Sequence, residues 1–352
     1  MSNKEAESNR AFIRQTERGK GMKKFLLVSF SAIVFGVLCI WSPRGSIEVF
    51  FTDASLHKFF PAPAYLLAVS IIPKTYLHLI LTMAGVWIWM EAFKIKVSWY
   101  HFIIIIPYAA IQAYASPTSI PPFLFIVAVH LIKRRYSWWG WAAGASYLFR
   151  TEMLFLLLFR NLWVAISLLT FLFIYIATSG AGFTSNSPAV FYGSLGQVPN
   201  NGWHIQYSDS ALNAVARDSG YVDAWSAPGL FSGMAISAIE AKPVEYLRKC
   251  AYNFLNEFRC GFYSGLDRTP LHYPAAIVFG LLFVYCFCWS IENTVIFPSK
   301  DEAVQLIIFT FFALVVLQAL GQQLSRHVSI IYLPMMGMIF EKSAHENQKE
   351  MK

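Results

Sequence analysis

Two carboxylates and a scatter of cations are the residues of this chain best suited to chemistry. Glu48 and Asp53 stand in the polar, aromatic-flanked stretch WSPRGSIEVFFTDASLHKFFPAP, residues 41–63. A carboxylate held beside a hydroxyl can take its proton as the oxygen attacks an electrophilic carbon, the work of a general base. Asp53 is the first candidate for that role and Glu48 the second; the competing reading is two solvated loop acids. His57 and Lys58 follow in the same stretch, and Arg326 and His327 close the segment GQQLSRH, residues 321–327. Such cations can grip a phosphate and stabilise it as it departs, although each alone also fits an interfacial anchor. Arg150 and Glu152 interrupt the apolar run SYLFRTEMLFLLLF, residues 146–159. Charges inside apolar stretches are costly and usually functional. Arg150 therefore reads as a clamp on a lipid phosphate oriented by Glu152, or the two form a structural ion pair. Trp203, His204, Tyr207 and Asp209, in NNGWHIQYSD, could stack on a sugar ring and bond its hydroxyls, or simply pack.

The elements that must position these groups are set by composition. The 352 residues are 56% hydrophobic, 17% aromatic and 14% charged, with mean hydropathy +0.48. A soluble domain carries about a quarter charged residues, and apolar runs near membrane-crossing length recur along this chain. The expected fold is an all-α polytopic membrane protein of roughly nine or ten transmembrane or re-entrant helices, with a mixed, mainly helical extracytoplasmic insert. The net charge of +8 does not point to nucleic acid. Lys4, Arg10, Arg14, Arg18, Lys20, Lys23 and Lys24 crowd ahead of the first apolar run, the mark of a cytoplasmic end drawn to anionic lipid, and no nucleic-acid-reading module accompanies them. The stretch is too long and polar for a cleaved signal peptide, so the run after it reads as a retained span.

The chain is expected to divide into a basic cytoplasmic tail (1–23), an N-terminal transmembrane module (24–179) with an outer loop at 42–74, an extracytoplasmic insert (180–272), C-terminal transmembrane helices (273–340) and a polar, disordered cytoplasmic tail (341–352). Spans are expected at 24–41, 76–89, 101–114, 123–132, 163–177, 275–291, 303–320 and 328–340. Residues 64–72 are too short to cross and predict an interfacial helix. Residues 141–159 predict a hairpin of two short helices with Arg150 and Glu152 at its outer tip, its small residues Ala142, Ala143, Gly144 and Ala145 allowing close packing. Short inner loops rich in Lys and Arg, such as Lys133-Arg134-Arg135, put both termini in the cytoplasm. Within the insert, KPVEYLRKCAYNFLNEF (242–258) has Pro243 near a helix start and apolar residues at helical spacing; it is expected on the membrane surface or under the insert.

Several classes fall away. There is no HExxH, GxSxG or P-loop motif, and the Gly193, Gly196 and Gly202 stretch reads as turns, with no strand before it. The five cysteines show no metal spacing. Cys250 and Cys260, if on one helix, lie about 15 Å apart, too far for a disulfide. No N-x-Ser/Thr sequon with a permitted middle residue occurs, which favours a bacterial envelope.

Three stretches together resemble the C-type superfamily of membrane glycosyltransferases, in particular bacterial transferases of the family 39 or dolichyl-phosphate-mannose type. WGWAAGASYLFRTEMLFLLL (139–158) is similar to their small-residue helix ending in Arg-x-Glu. FYGSLGQVPNNGWHIQYSD (191–209), followed by KPVEYLRK (242–249), is similar to their outer segment opening on a Gly-Leu-Gly turn. SRHVSIIYLPMM (325–336) is similar to their Arg-Tyr entry into the last span, with His327 where they have the tyrosine. The resemblance implies a polyprenyl-phosphate sugar as donor, a lipid-linked or envelope glycan as acceptor, and a catalytic acid in the first outer loop. It further implies transfer on the outer face of a bacterial inner membrane, usually with inversion. Family members often pair two acids there; here Glu48 and Asp53 stand apart. Some members use a divalent metal, and no other cofactor is implied. A polysaccharide polymerase or ligase is the nearest alternative, but it would favour an arginine-rich insert, and this one offers Arg217, Arg248, Arg259 and Arg268. A lipid or solute transporter would place ionisable residues through the bilayer midplane, where His130, Arg150 and Glu152 come closest, and no internal repeat of the transporter kind is visible. A non-catalytic scaffold is the last alternative.

Overall fold

The computed structural model describes residues 3–41, 63–113, 119–149, 151–159, 161–179, 187–197, 203, 205, 208–260, 272–296, 299–320 and 330–350. Among them the fold is all-helical, without a strand. The first helix, α1, is continuous from Asn3 to Trp41. α2 (Pro63–Ile71), α3 (Lys74–Ala92), α4 (Trp99–Ala113) and α5 (Ile120–Lys133) follow. Then come α6 (Trp139–Ala145), two 3₁₀ helices (Ser146–Leu148 and Thr151–Leu158) and α7 (Leu162–Ser179). The insert contributes α8 (Ser187–Ser194), α9 (Asp209–Asp218), α10 (Pro228–Ala241) and α11 (Pro243–Cys260). α12 (His272–Ile291), α13 (Glu302–Leu320) and α14 (Tyr332–Glu350) complete the chain.

Most expected spans thus fall on helices within a few residues. α2 is the short helix foreseen: nine residues rise only about 13 Å, against about 30 Å of hydrocarbon. α11 carries both Cys250 and Cys260 on one continuous helix, which removes that disulfide. The C-terminal tail, expected to be disordered, is helical to Glu350 as part of α14, and the basic N-terminal stretch is helical too, as part of α1. Their Glu, Lys, Gln and Arg residues are good helix formers, and extending a helix already nucleated by an apolar segment costs little. Two described helices are long and apolar enough to cross a membrane, Gly21–Ile40 and Glu302–Leu320, and shorter apolar helices cover Trp99–Ala113, Ile120–Lys133, Leu162–Ile174 and Gly280–Val295.

Charges gather at one end of the bundle. Lys24 on α1 pairs with Glu91 on α3 at 2.6 Å. Lys133, ending α5, pairs with Glu341 on α14 and lies 3.9 Å from Asp301, just ahead of α13. Asn161, before α7, donates to Glu302 at 3.0 Å. These contacts make α1 and α3 antiparallel and set the start of α13 beside the end of α5. The exposed rings of Trp87, Trp99, Tyr136, Trp138 and Trp163 belong to the same end, with Lys24 Nζ 6.0 Å from the centre of Trp87. Between the ends, one continuous core runs through Trp89, Phe125, Leu168, Phe283, Phe311 and Tyr332.

The hairpin at 139–159 is closed by Trp139 against Phe159, ring centres 6.1 Å apart. Its second limb is 3₁₀ rather than α; at about 2 Å per residue it matches the longer first limb. Small residues let α6 lie directly on α7. A Cβ on Gly140 would come 2.6 Å from the backbone nitrogen of Val164, and one on Gly144 would come 1.9 Å from Ser167 Oγ. That hydroxyl in turn donates to the Gly140 carbonyl at 2.8 Å. Gly140→Ala is therefore expected to cost about 1–3 kcal/mol, because backbone cannot step aside. Gly144→Ala should also be costly, since the new Cβ meets Ser167 Cβ at 2.8 Å and the Leu168 backbone nitrogen at 3.1 Å, whereas Gly36→Ala, with nothing within 4 Å, should cost nothing. Thermal unfolding of the three purified variants checks this order; equal losses would refute it.

Candidate functional site around a buried histidine relay

At the end opposite the ion pairs, polar side chains are buried among apolar helices. The Tyr65 hydroxyl on α2 lies 3.1 Å from His78 Nε2 on α3, and His78 Nδ1 lies 3.0 Å from Gln112 Oε1 on α4. Gln112 Nε2 donates to the Ser119 carbonyl at 2.6 Å, and Ser119 Oγ donates to the Ile111 carbonyl at 2.7 Å. Tyr65, His78, Gln112 and Ser119 are all at most 1% exposed. The chain of bonds has one consistent direction. A carbonyl can only accept, so the Gln112 amide nitrogen faces Ser119 and its oxygen faces His78. His78 Nδ1 must then carry a hydrogen, and in the neutral ring Nε2 accepts from Tyr65. The result is a Tyr–His–Gln relay, an imidazole held in one tautomer with a hydroxyl on its free nitrogen.

This relay sits where the candidate segments begin and end. Cys39, near the end of α1, packs with Phe35, Ala113 and Leu79, so α1 finishes beside the ends of α3 and α4 that carry the relay. The loop with Glu48 and Asp53 leaves from there and returns at Pro63, two residues before Tyr65. Phe149, beside Arg150, packs against the cluster of Tyr65, Leu81 and Ile120, which brings the hairpin tip to the same place. α13 starts at the charged end and finishes at Leu320, about 27 Å away along its 19 residues; the stretch with Arg326 and His327 follows.

The predicted site residues are described unevenly. Glu48, Asp53, His57, Lys58, Arg150, Arg326, His327, His204 and Tyr207 lie outside the described residues. Glu152 is placed by its backbone in the second limb of the hairpin. Asp209 opens α9, whose cap is Ser208, accepting from the Ala211 amide at 3.2 Å. Trp203 donates its ring N–H to the Ala238 carbonyl on α10 at 3.0 Å, so its indole N–H knits the insert together. Sequence reading passed over Tyr65, His78 and Gln112. The available signal was a lone His in TYLHLILTMAG and a lone Gln in IIIIPYAAIQA, polar groups that an apolar segment keeps only when something satisfies them.

A second polar group lies where the insert meets the bundle. From α11, Tyr246 Oη and Lys249 Nζ both donate to the Leu320 carbonyl, at 3.1 and 3.0 Å. Asn253 Nδ2 lies 3.4 Å from both the Gln318 and Ala319 carbonyls. Three side chains on one face of α11 thus cap the last turn of α13, whose carbonyls have no partner within their own helix, and Lys249 adds the positive charge that a helix C-terminus favours. Lys249 is 0% exposed, with the rings of Phe191 and Tyr246 each 5.6 Å away. Burial pulls its pKa from the ordinary 10.5 down to about 8, opposed by the neighbouring Cys250. The folded protein therefore binds fewer protons than the unfolded chain between those two values, and stability rises with pH across that window. The unfolding temperature is expected to increase from pH 8 to pH 10 by on the order of a few degrees, a gain absent in Lys249→Met. An identical pH response in both proteins would show that Lys249 is not the group responsible.

Among the described residues no cluster of His, Cys, Asp and Glu could hold a metal ion. No protein-family model matches the chain, and no characterised protein or solved structure is significantly similar to it.

Proposed function

We propose that this chain is a polytopic, integral-membrane glycosyltransferase. In this reading it moves a sugar from a polyprenyl-phosphate donor to a lipid-linked or envelope glycan on the outer face of a bacterial inner membrane. The observation that carries the proposal is the convergence of chemistry-bearing segments at one end of the bundle. The flanks of the Glu48–Asp53 loop and of Arg150 meet around Tyr65, Leu81 and Ile120, at the end opposite the ion pairs.

Surface character supports the membrane placement. Ile33, Phe173 and Leu281 are 62%, 74% and 66% exposed on apolar helices, an arrangement stable against hydrocarbon and costly against water. Lys94, Lys96, Lys133, Arg134 and Arg135 and the exposed rings of Trp87, Trp99, Trp138 and Trp163 share one end, and Lys and Arg concentrate at a cytoplasmic interface. The other end then faces outward and holds the site.

In this mechanism the acceptor hydroxyl attacks the anomeric carbon as Asp53 takes its proton. The new C–O bond forms while the bond from that carbon to the phosphate oxygen breaks, and the electron pair leaves with the lipid phosphate. Arg150, Arg326, His327, His57 and Lys58 supply the positive charge that stabilises the leaving phosphate, and Glu152 orients Arg150. A divalent cation would serve the same phosphate.

The test is mass spectrometry of lipid-linked and envelope glycans from a deletion strain with and without the wild-type gene. Loss of one sugar mass, restored by the gene, is the expected result; an unchanged glycan profile would reject the transferase. A transporter is the second reading, favoured by the buried His78 relay inside the bundle. Solute flux without sugar transfer in proteoliposomes would decide for it.

A further inference from the structure

On α11 Phe254 packs into the core, but along the rest of the helix polar side chains are buried and apolar ones exposed. Lys249 and Asn253 are 0% exposed, whereas Val244, Leu247 and Leu255 are 73%, 67% and 66% exposed. With Ala251, also exposed, these residues follow the i, i+3, i+7, i+11 spacing of a single helical stripe. The polar face is turned inward because it caps α13. The apolar face is turned out, and none of the described helices covers those three side chains.

The capping contacts fix the level at which this stripe lies. Tyr246, Lys249 and Asn253 reach the carbonyls of Gln318, Ala319 and Leu320, so α11 lies against the last turn of a helix of membrane-crossing length. That same turn exposes Val316, Leu317 and Leu320 at 52%, 38% and 45%. Apolar surface on two packed helices is therefore presented at one height. Arg248 lies beside the stripe, one turn from Val244, with its side chain 64% exposed and 3.8 Å from Glu245. A long cationic side chain there can run along apolar surface and put its head among lipid phosphates.

We infer that α11 is an in-plane membrane helix whose stripe of Val244, Leu247, Ala251 and Leu255 is occupied by the acyl chains of the outer leaflet. It clasps α13 with its polar face and lipid with its apolar one, and so ties the insert to the bilayer surface. Helices of this kind lie with their apolar side sunk into the boundary between headgroups and chains. The inference rests on the membrane placement proposed above and is independent of the transferase chemistry.

The test uses the full-length chain, its five cysteines replaced, in vesicles of zwitterionic and anionic phospholipid. Single cysteines carry a polarity-sensitive fluorophore at Leu247 or Leu255 on the stripe, at Leu281 on α12, or at the exposed Asp218 ending α9. Lipids brominated on their acyl chains should quench the labels at 247 and 255 as they quench 281, and leave 218 unchanged. Quenching at 281 but not at 247 or 255 overturns the inference. A water-like emission there would then name solvent as the occupant, and a blue-shifted one a second copy of the chain or residues 261–271. Absence of quenching at 281 as well would overturn the membrane placement itself.

Discussion

Asp53→Asn should abolish sugar transfer while leaving the amount of folded, membrane-inserted protein unchanged. Asparagine keeps the size and polarity of the side chain but cannot take up the proton of the attacking hydroxyl. Loss of a general base lowers turnover by about a hundredfold or more. Because that interaction strengthens as the transition state forms, the loss should appear in kcat rather than in KM. Donor binding, measured with a non-transferable polyprenyl-phosphate sugar, should survive. The two carboxylates are separable: if Asp53→Asn keeps its activity and Glu48→Gln loses it, the base is Glu48. If both variants restore the missing sugar in a deletion strain, no acid of this loop is the base. Arg150→Ala should behave differently, weakening the hold on the donor phosphate, and the conservative Arg150→Lys should recover only part of it, because lysine cannot form the two-pronged contact.

The sequence foretold most of what depends on one helix at a time. Apolar runs marked α3, α5, α7, α12 and α13, the shortness of 64–72 marked α2, and Lys133 marked the charged end. Properties requiring two or more helices were harder to read. His78 and Gln112 are 34 residues apart, and nothing local tells that α3 and α4 bring them into contact or that Tyr65 completes the relay. The stripe on α11 was legible as a pattern, but periodicity reports a face and not which way it points. In water the apolar side turns inward as a rule, but here the polar side does so because Lys249 and Asn253 meet the end carbonyls of α13. The helical C-terminal part of α14 was missed for a third reason: its polar residues read as disordered chain, although Lys and Glu extend a helix well once an apolar segment has started it.

His78→Leu is expected to be among the most destabilising single changes at the end of the bundle that carries the relay, by about 3 kcal/mol. The change removes the ring's bonds to the Tyr65 hydroxyl and the Gln112 amide oxygen inside an apolar setting, each at a cost of about 1–3 kcal/mol. The same principle predicts a partial rescue. In Tyr65→Phe with His78→Leu and Gln112→Met, both polar groups that faced the ring are gone, and much of the lost stability should return, leaving the cost of the Ser119 carbonyl that Gln112 had satisfied. Stability measured around this cycle should be strongly non-additive; simple addition of the single losses would show that the three side chains do not act as a unit. Activity should follow a different course. Tyr65 belongs to the first turn of α2, directly after the loop bearing Asp53, and its bond to His78 holds that end of the loop against α3. The rescued triple variant should therefore fold well and still turn over about tenfold more slowly, since small misplacements of a catalytic group are expensive. Full activity in the triple variant would reduce the relay to a structural tie, whereas full stability with slow turnover would make His78 a positioning residue for the acid in residues 42–62.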